Sequence, residues 1–262
     1  MNDAASVHVD QRGAVAVWTI DRPDRMNALS RGTLSAIGKL AREAQGNETI
    51  RAVIVTGAGD KAFCAGADLK ERQGMSEADV RVQLDLYRSE LGSLDRSAKP
   101  VIAALNGHAL GGGLELALCC DLRIAAAHAL LGLPETSFGI VPGAGGTQRL
   151  PRIVGEARAK EMILLGRRVT AKEALEWGLV NRVTAPGKGV LEDALEWLGP
   201  IAQGAPIAQA AALDAIDWAR NVTLDIGLEL EKVAYERTLG TEDRREALAA
   251  FAEKRKPRFR GR

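Results

Sequence analysis

The sequence predicts an α/β fold organised on a parallel sheet. After an opening hairpin, apolar β-prone runs alternate with helical patterns as far as Arg149. The spacers between those runs are long enough for crossover connections, which parallel strands require. Beyond Arg149 the pattern turns almost wholly helical, so this part is expected to cover the core or another subunit.

Residues 7–9 and 14–20 are β-prone and meet around Gly13, a hairpin signal. Ser30 is the expected N-cap of a helix running to about Gln45. The segment ETIRAVIVTGAG then reads as a buried strand ending in a glycine turn, and a polar helix is expected over 77–96. KPVIAALNG is a second buried strand and DLRIAAA a third. Helical spacing of Ala, Leu and Ile marks 155–165, 171–177, 189–203, 206–219 and 225–252.

The chain has 262 residues, 46% of them hydrophobic, and a formal net charge of +1. That supports a substantial core and argues against nucleic acid or a membrane as the main partner. A cationic tail, KRKPRFRGR at 254–262, reads as solvated or as a contact for an anionic cofactor. Cys64, Cys119 and Cys120 have no metal-site spacing and read as small buried residues of a reducing compartment. The N-terminal stretch carries acids and no apolar core of a secretory signal, and no apolar run approaches a membrane span, so a cytoplasmic protein is expected.

The segment NGHALGGGLELALCCD, 106–121, is the most informative. Gly111, Gly112 and Gly113 open an apolar helix with Glu115 in its first turn. Helix-start N–H groups lack intrahelical partners and can face a ligand where no side chain intervenes. Gly112 and Glu115 are three apart, which puts a donor and a carboxylate on one face. An oxyanion stabiliser beside an acid/base group suits chemistry next to a carbonyl. The alternative is glycine used for tight helix packing, with Glu115 solvated.

Two further segments join it. In FCAGADLKER, 63–72, the small residues Ala65, Gly66 and Ala67 leave the backbone accessible before a short helix near Asp68. Ala67 could supply a second N–H donor, or the segment is a plain surface turn. In LGLPETSFGIVPGAGGTQRL, 131–150, Glu135 follows Pro134, and Gly143, Gly145 and Gly146 permit a close backbone approach. Glu135 could equally be an exposed loop glutamate. No P-loop or dinucleotide fingerprint is present, nor a GxSxG elbow or zinc spacing. Of His8, His108 and His128, only His108 lies near these motifs, in the loop before the glycine helix, and it reads as structural or pocket-lining.

Together, DRPDRMNALS, FCAGADLKE, NGHALGGGLELALCCD, PETSFGIVPGAGGTQRLPR and AFAEKRKPRF resemble the enoyl-CoA hydratase/isomerase (crotonase) superfamily in order and spacing over essentially the whole chain. CAGADLKER with MSEADV, TQRLPR and EDRREALAAFAEKRKPRFRG look especially like 3-methylglutaconyl-CoA hydratases. The resemblance implies a crotonase-like (ClpP/crotonase) spiral of repeated ββα units. It places the spiral core at 1–195 and a helical trimerisation region at 196–262, in a trimer or dimer of trimers.

It also implies roles. The N–H groups of Ala67 and Gly112 would form an oxyanion hole for a thioester oxygen, each donor worth on the order of 3 kcal/mol. Glu115 and Glu135 would hold a water between them, Glu115 activating it and Glu135 protonating the α-carbon. Coenzyme A, part of the substrate rather than a resident cofactor, would lie along Arg25, Ala28, Ala65, Asp68, Leu69 and Lys70. Phe251 and Lys254 would reach it from the C-terminal helix, from the same or a neighbouring subunit. No metal or redox group is called for.

Two carboxylates favour hydration over double-bond isomerisation, which can run on one. A substrate with a distal carboxylate would want a cation, for which Lys70, Arg72 and Arg88 are candidates. A member of the methylglutaconyl group also binds AU-rich RNA through a lysine-rich stretch. The matching span here, 32–55, has only Lys39, Arg42 and Arg51 against Glu43 and Glu48, which argues against that activity.

Overall fold

The computed structural model describes residues 6–262; the first five residues, part of the stretch read as lacking a signal, lie outside. Strand β1 (Val7–Arg12) turns at Gly13 into antiparallel β2 (Val15–Ile20). Helix α1 (Arg31–Gly46) starts where Ser30 Oγ accepts the Thr33 N–H, and it buries Leu34, Ile37, Ala41 and Ala44 at helical spacing.

Three paired-strand steps follow. β3 (Ala52–Gly57) leads to β4 (Ala62–Cys64), then to α2 (Leu69–Arg72) and α3 (Glu77–Asp95). β5 (Val101–Leu105) leads to β6 (His108–Leu110) and α4 (Gly112–Leu118); β7 (Leu122–Ala125) leads to β8 (Leu130–Gly132), a 3-10 turn at Glu135–Phe138 and α5 (Gly146–Val154). In each step the first strand joins a six-stranded sheet, ordered β1-β2-β3-β5-β7 and closed by β10 (Arg182–Val183), and the second joins a small sheet, β4-β6-β8 and then β9 (Arg168–Thr170). This is the ββα spiral. Asn106 ties two steps together, accepting from Gly57 N–H and donating to the Gly59 and Ala62 carbonyls.

The rest comprises α6 (Glu156–Leu164), β9 (Arg168–Thr170), α7 (Ala171–Glu176), β10 (Arg182–Val183), α8 (Val190–Trp197), α9 (Gly199–Gln203), α10 (Pro206–Trp218), α11 (Leu224–Leu239) and α12 (Glu242–Ala252). Two of the stretches read as helical each hold two helices. The 189–203 stretch divides at Leu198, with Pro200 in the first turn of α9, where its missing N–H costs nothing. The 225–252 stretch divides at Gly240–Thr241, where Thr241 caps α12.

The large sheet is covered on both faces. Ala16, Trp18, Val53, Val55 and Ala103 face the main core with α1, while Val15, Val17, Ile54, Ile102 and Ile124 face Val190, Ala194 and Leu198. Strand alternation explains the division, and each large aliphatic buried this way contributes about 1.5–3 kcal/mol. α8 seals the outer face and spans the boundary expected at 195. By contrast α10 and α11 pack on each other while leaving Trp218, Ile226, Leu228, Val233 and Tyr235 exposed. Among the described residues no helix is long and apolar enough to cross a membrane.

Candidate active site

The site grows from the junction of β4 and β6 with α4. A Cβ on Gly113 would stand 2.0 Å from the Cys64 carbonyl oxygen, so α4 packs against the β4 turn through bare backbone. Glycine here serves tight packing and accessible donors at once. That contact brings Gly112 beside Ala67: a Cβ on Gly112 would lie 3.6 Å from the Ala67 nitrogen. Ala67 sits in a parallel bridge with Leu29. The bridge bonds run from Leu29 N–H to Gly66 and from Asp68 N–H to Leu29, which leaves the Ala67 N–H free. Neither that N–H nor the Gly112 N–H meets an acceptor among the described residues. Tyr87, from α3, walls the pair: a Gly112 Cβ would lie 3.3 Å from its ring, and its hydroxyl donates to the Leu29 carbonyl.

Glu115 follows one turn into α4 and is only 3% exposed. Its Oε1 accepts the N–H groups of Ala144 (2.8 Å) and Gly146 (2.7 Å). The close approach expected of Gly143, Gly145 and Gly146 therefore serves the protein's own carboxylate. Burial raises the Glu115 pKa, while the two amides and the Arg149 charge oppose that rise. Oε2 accepts no protein hydrogen bond among the described residues.

Glu135 opens its 3-10 turn and leans toward the start of α4, its Oε1 3.1 Å from where a Gly111 Cβ would stand. Its Oε2 is buried with no hydrogen-bond partner among the described residues. Burial pushes its pKa up to about 7, and the charge of Glu115 adds to the rise. Two carboxylates, one of which feels the other's charge, thus stand at the helix start that presents the Gly112 N–H, each with an oxygen uncommitted among the described residues.

The expected coenzyme A residues fall into two groups. Arg25, Ala28, Ala65, Asp68, Leu69 and Lys70 come together because two loops are zipped by backbone bonds, Ala65 N–H to Met26 and Leu29 N–H to Gly66. Arg25 keeps one buried guanidinium nitrogen without a partner among the described residues. Leu69 and Lys70 are exposed on α2, and Ala28 is buried. The Asp68 carboxylate is committed to structure: it caps α2 through Lys70 and Glu71 N–H and pairs with Arg22 at 2.7 Å. Phe251 and Lys254 stand apart, both exposed, joined by a bond from Lys254 N–H to the Phe251 carbonyl.

Of the candidate cations, Lys70 is exposed and Arg72 donates to Gln83. Arg88 donates to the Gly143 carbonyl at 3.4 Å, at the edge of the loop that grips Glu115. His108 lies on β6 rather than in a loop, its Nδ1 accepting the Leu130 N–H, and burial lowers its pKa. Burial pushes the Cys64 and Cys119 thiols up to about 12, so they stay protonated. Lys39 and Arg42 pair with Glu43 and Glu90, and Arg51 donates to the carbonyls of Gly204 and Phe259. The cations considered for RNA are thus engaged within the chain. The sequence had not pointed to Tyr87, or to the Ala144 and Gly146 amides as the grip on Glu115. Buried spacing of Gln83, Tyr87, Leu91 and Leu94 was the available signal for Tyr87.

The family model described as enoyl-CoA hydratase/isomerase matches residues 10–262. The chain is 42% identical to the short-chain-enoyl-CoA hydratase of Clostridium acetobutylicum over 251 residues, 96% of each protein. It is 43% identical to the human mitochondrial enoyl-CoA hydratase domain-containing protein 2, over 92% of this chain and 84% of that one. A crystal structure of enoyl-CoA hydratase from Bacillus anthracis superposes with a TM-score of 0.96 at 47% identity, covering 98% of this chain and all of the other. With its ββα spiral, a family model matching almost its whole length and relatives above 40% identity over more than nine-tenths of it, the chain belongs to the enoyl-CoA hydratase/isomerase family.

Proposed function

We propose that this protein adds water reversibly to an α,β-unsaturated acyl-CoA, with Glu115 and Glu135 as the acid/base pair and the Ala67 and Gly112 N–H groups as the oxyanion hole. The observation that carries this reading is a buried carboxylate, Glu115, and a half-buried one, Glu135, each with an oxygen uncommitted among the described residues, at a helix start that presents two unpaired amides.

The asymmetry of the two acids supports a division of parts. Two amides and the Arg149 charge favour the Glu115 anion against the burial that raises its pKa, and Glu115 takes a proton from water as the water oxygen bonds to the β-carbon. Electrons move through the conjugated system onto the thioester oxygen, where the two N–H groups stabilise the enolate. Glu135, with its pKa near 7, carries the proton that the α-carbon takes. Exchange through solvent then restores the starting protonation. Delivery of hydroxyl and proton from one side gives syn addition, and no resident cofactor takes part.

Within this class, the motif likeness and the position of Arg88 beside Gly143 support 3-methylglutaconyl-CoA, whose distal carboxylate needs a cation. A short straight-chain enoyl-CoA is the second reading, favoured by likeness to the Clostridium relative. Coenzyme A is assigned to the zipped loops carrying Arg25, Ala28, Ala65, Asp68, Leu69 and Lys70. The exposed apolar face of α10 and α11 supports a homo-trimer or dimer of trimers, in which a neighbour's Phe251 and Lys254 complete the coenzyme site. Comparing kcat/KM for crotonyl-CoA, longer enoyl-CoAs and 3-methylglutaconyl-CoA tests the proposal. Hydration of none of them overturns it, and a preference for crotonyl-CoA over 3-methylglutaconyl-CoA selects the second reading.

A further inference from the structure

Behind the loop that grips Glu115 lies an arrangement that the hydration chemistry does not use directly. Arg149, on α5, donates through Nη1 to the carbonyl of Ala144 at 3.1 Å. Ala144 is the residue whose N–H donates to Glu115 Oε1. The same guanidinium binds Asp95, the last residue of α3, with Nε to Oδ1 at 3.1 Å and Nη2 to Oδ2 at 2.9 Å. Two parallel bonds of this kind fix a guanidinium plane as a single contact cannot. The Arg149 side chain is 24% exposed, and it lines, with Arg88, Ala144 and Gly145, a cavity of about 820 Å³.

Asp95 sits on the helix that also carries Tyr87, which walls Gly112. One ion pair therefore ties the Glu115 grip to the element flanking the oxyanion donors. The charged and titratable groups that bear on Glu115 come from each packed element: Arg149 from α5, Glu135 from the 3-10 turn, Tyr87 from α3 and Cys119 from the C-cap of α4. Tyr87 and Cys119 are buried and neutral, which leaves Arg149 as the cation among them.

We propose that Arg149, oriented by Asp95, is a positioning residue for Glu115: it holds the Ala144–Gly146 amides in register with the carboxylate. This rests on the assignment of Glu115 as the group that activates water.

The test compares Arg149→Met, Arg149→Lys and Asp95→Asn in the full-length protein, measuring kcat, KM and the pH profile of crotonyl-CoA hydration, with butyryl-CoA binding by calorimetry. A displaced carboxylate predicts that Arg149→Met lowers kcat roughly 10- to 100-fold while KM and butyryl-CoA affinity stay within about twofold. Its acid limb moves to higher pH, because removing the cation disfavours the Glu115 anion. Arg149→Lys keeps the acid limb in place but still loses kcat, and Asp95→Asn falls between. Wild-type kcat and acid limb in Arg149→Met overturn the proposal. If that variant does not fold, unchanged kcat in both Arg149→Lys and Asp95→Asn does so. Glu115→Gln serves as the separate control: full activity there removes the underlying assignment, whereas an inactive Glu115→Gln beside a fully active Arg149→Met defeats only the role of Arg149.

Discussion

Gly146 donates its backbone N–H to Glu115 Oε1 across 2.7 Å, and a Cβ on Gly146 would stand 3.0 Å from that oxygen. The same Cβ would meet Leu133 Cδ1 at 2.9 Å and Pro142 Cβ at 3.0 Å. The donor and the space it needs are thus supplied by one residue. Gly146→Ala is expected to shift the carboxylate and lower kcat by roughly 10- to 100-fold, with KM for crotonyl-CoA little changed. Steady-state kinetics of the variant, with circular dichroism to verify folding, check this.

The contact between Gly113 and the Cys64 carbonyl leaves no room for a methyl group. Gly113→Ala is expected to push α4 away from β4, lowering stability by about 1–3 kcal/mol and separating the Ala67 and Gly112 amides. Denaturant unfolding measures the first effect and the rate of hydration the second. Both should fall together.

The acid/base pair makes a pH prediction with a definite sign. The working form carries one proton, on Glu135, whose pKa is about 7. Raising the pH through that value removes the proton, so kcat/KM falls on the alkaline side. Lowering the pH far enough protonates Glu115 as well and produces an acid limb. Hydration consumes no net proton, so dehydration of the hydroxyacyl-CoA must follow the same bell in kcat/KM. A flat profile between pH 6 and 9 (a window of roughly one to two units around the expected pKa) would contradict the assignment of Glu135.

Trp218 and Ile226 belong to the apolar face that α10 and α11 leave uncovered. If this face joins subunits, Trp218→Glu with Ile226→Glu should shift the assembly toward monomer in sedimentation experiments. Loss of hydration on dilution would accompany the shift if Phe251 and Lys254 serve a neighbour's coenzyme site. A double variant that sediments as the wild type excludes this face as the contact.

Much of the frame was legible from residue patterns. Ser30 announces α1 by its side-chain chemistry, and the buried runs of β3 and β5 are too uniformly apolar for surface segments. The small sheet was not legible, since β4, β6, β8 and β9 are three residues each, too short to display a period. The start of α5 was hidden for another reason: it opens on two glycines without a side-chain cap and contains Pro151. In the site, helical spacing connected Gly112 to Glu115. Nothing local marked Ala144 and Gly146 as the partners of a carboxylate that lies about thirty positions earlier in the chain. Glu135 likewise sits in a short turn, where no periodicity says which way a side chain points.

The most direct measurement is a double-mutant cycle on hydration of crotonyl-CoA, using Glu115→Gln, Glu135→Gln and the two combined. Carboxylates acting on one water form a unit, so each single change should cost ~10²–10⁴-fold in kcat and the pair together little more than the worse single. Butyryl-CoA binding should persist in all three variants. Full hydration by either single variant, or losses that multiply in the double, would contradict a shared water between the two acids.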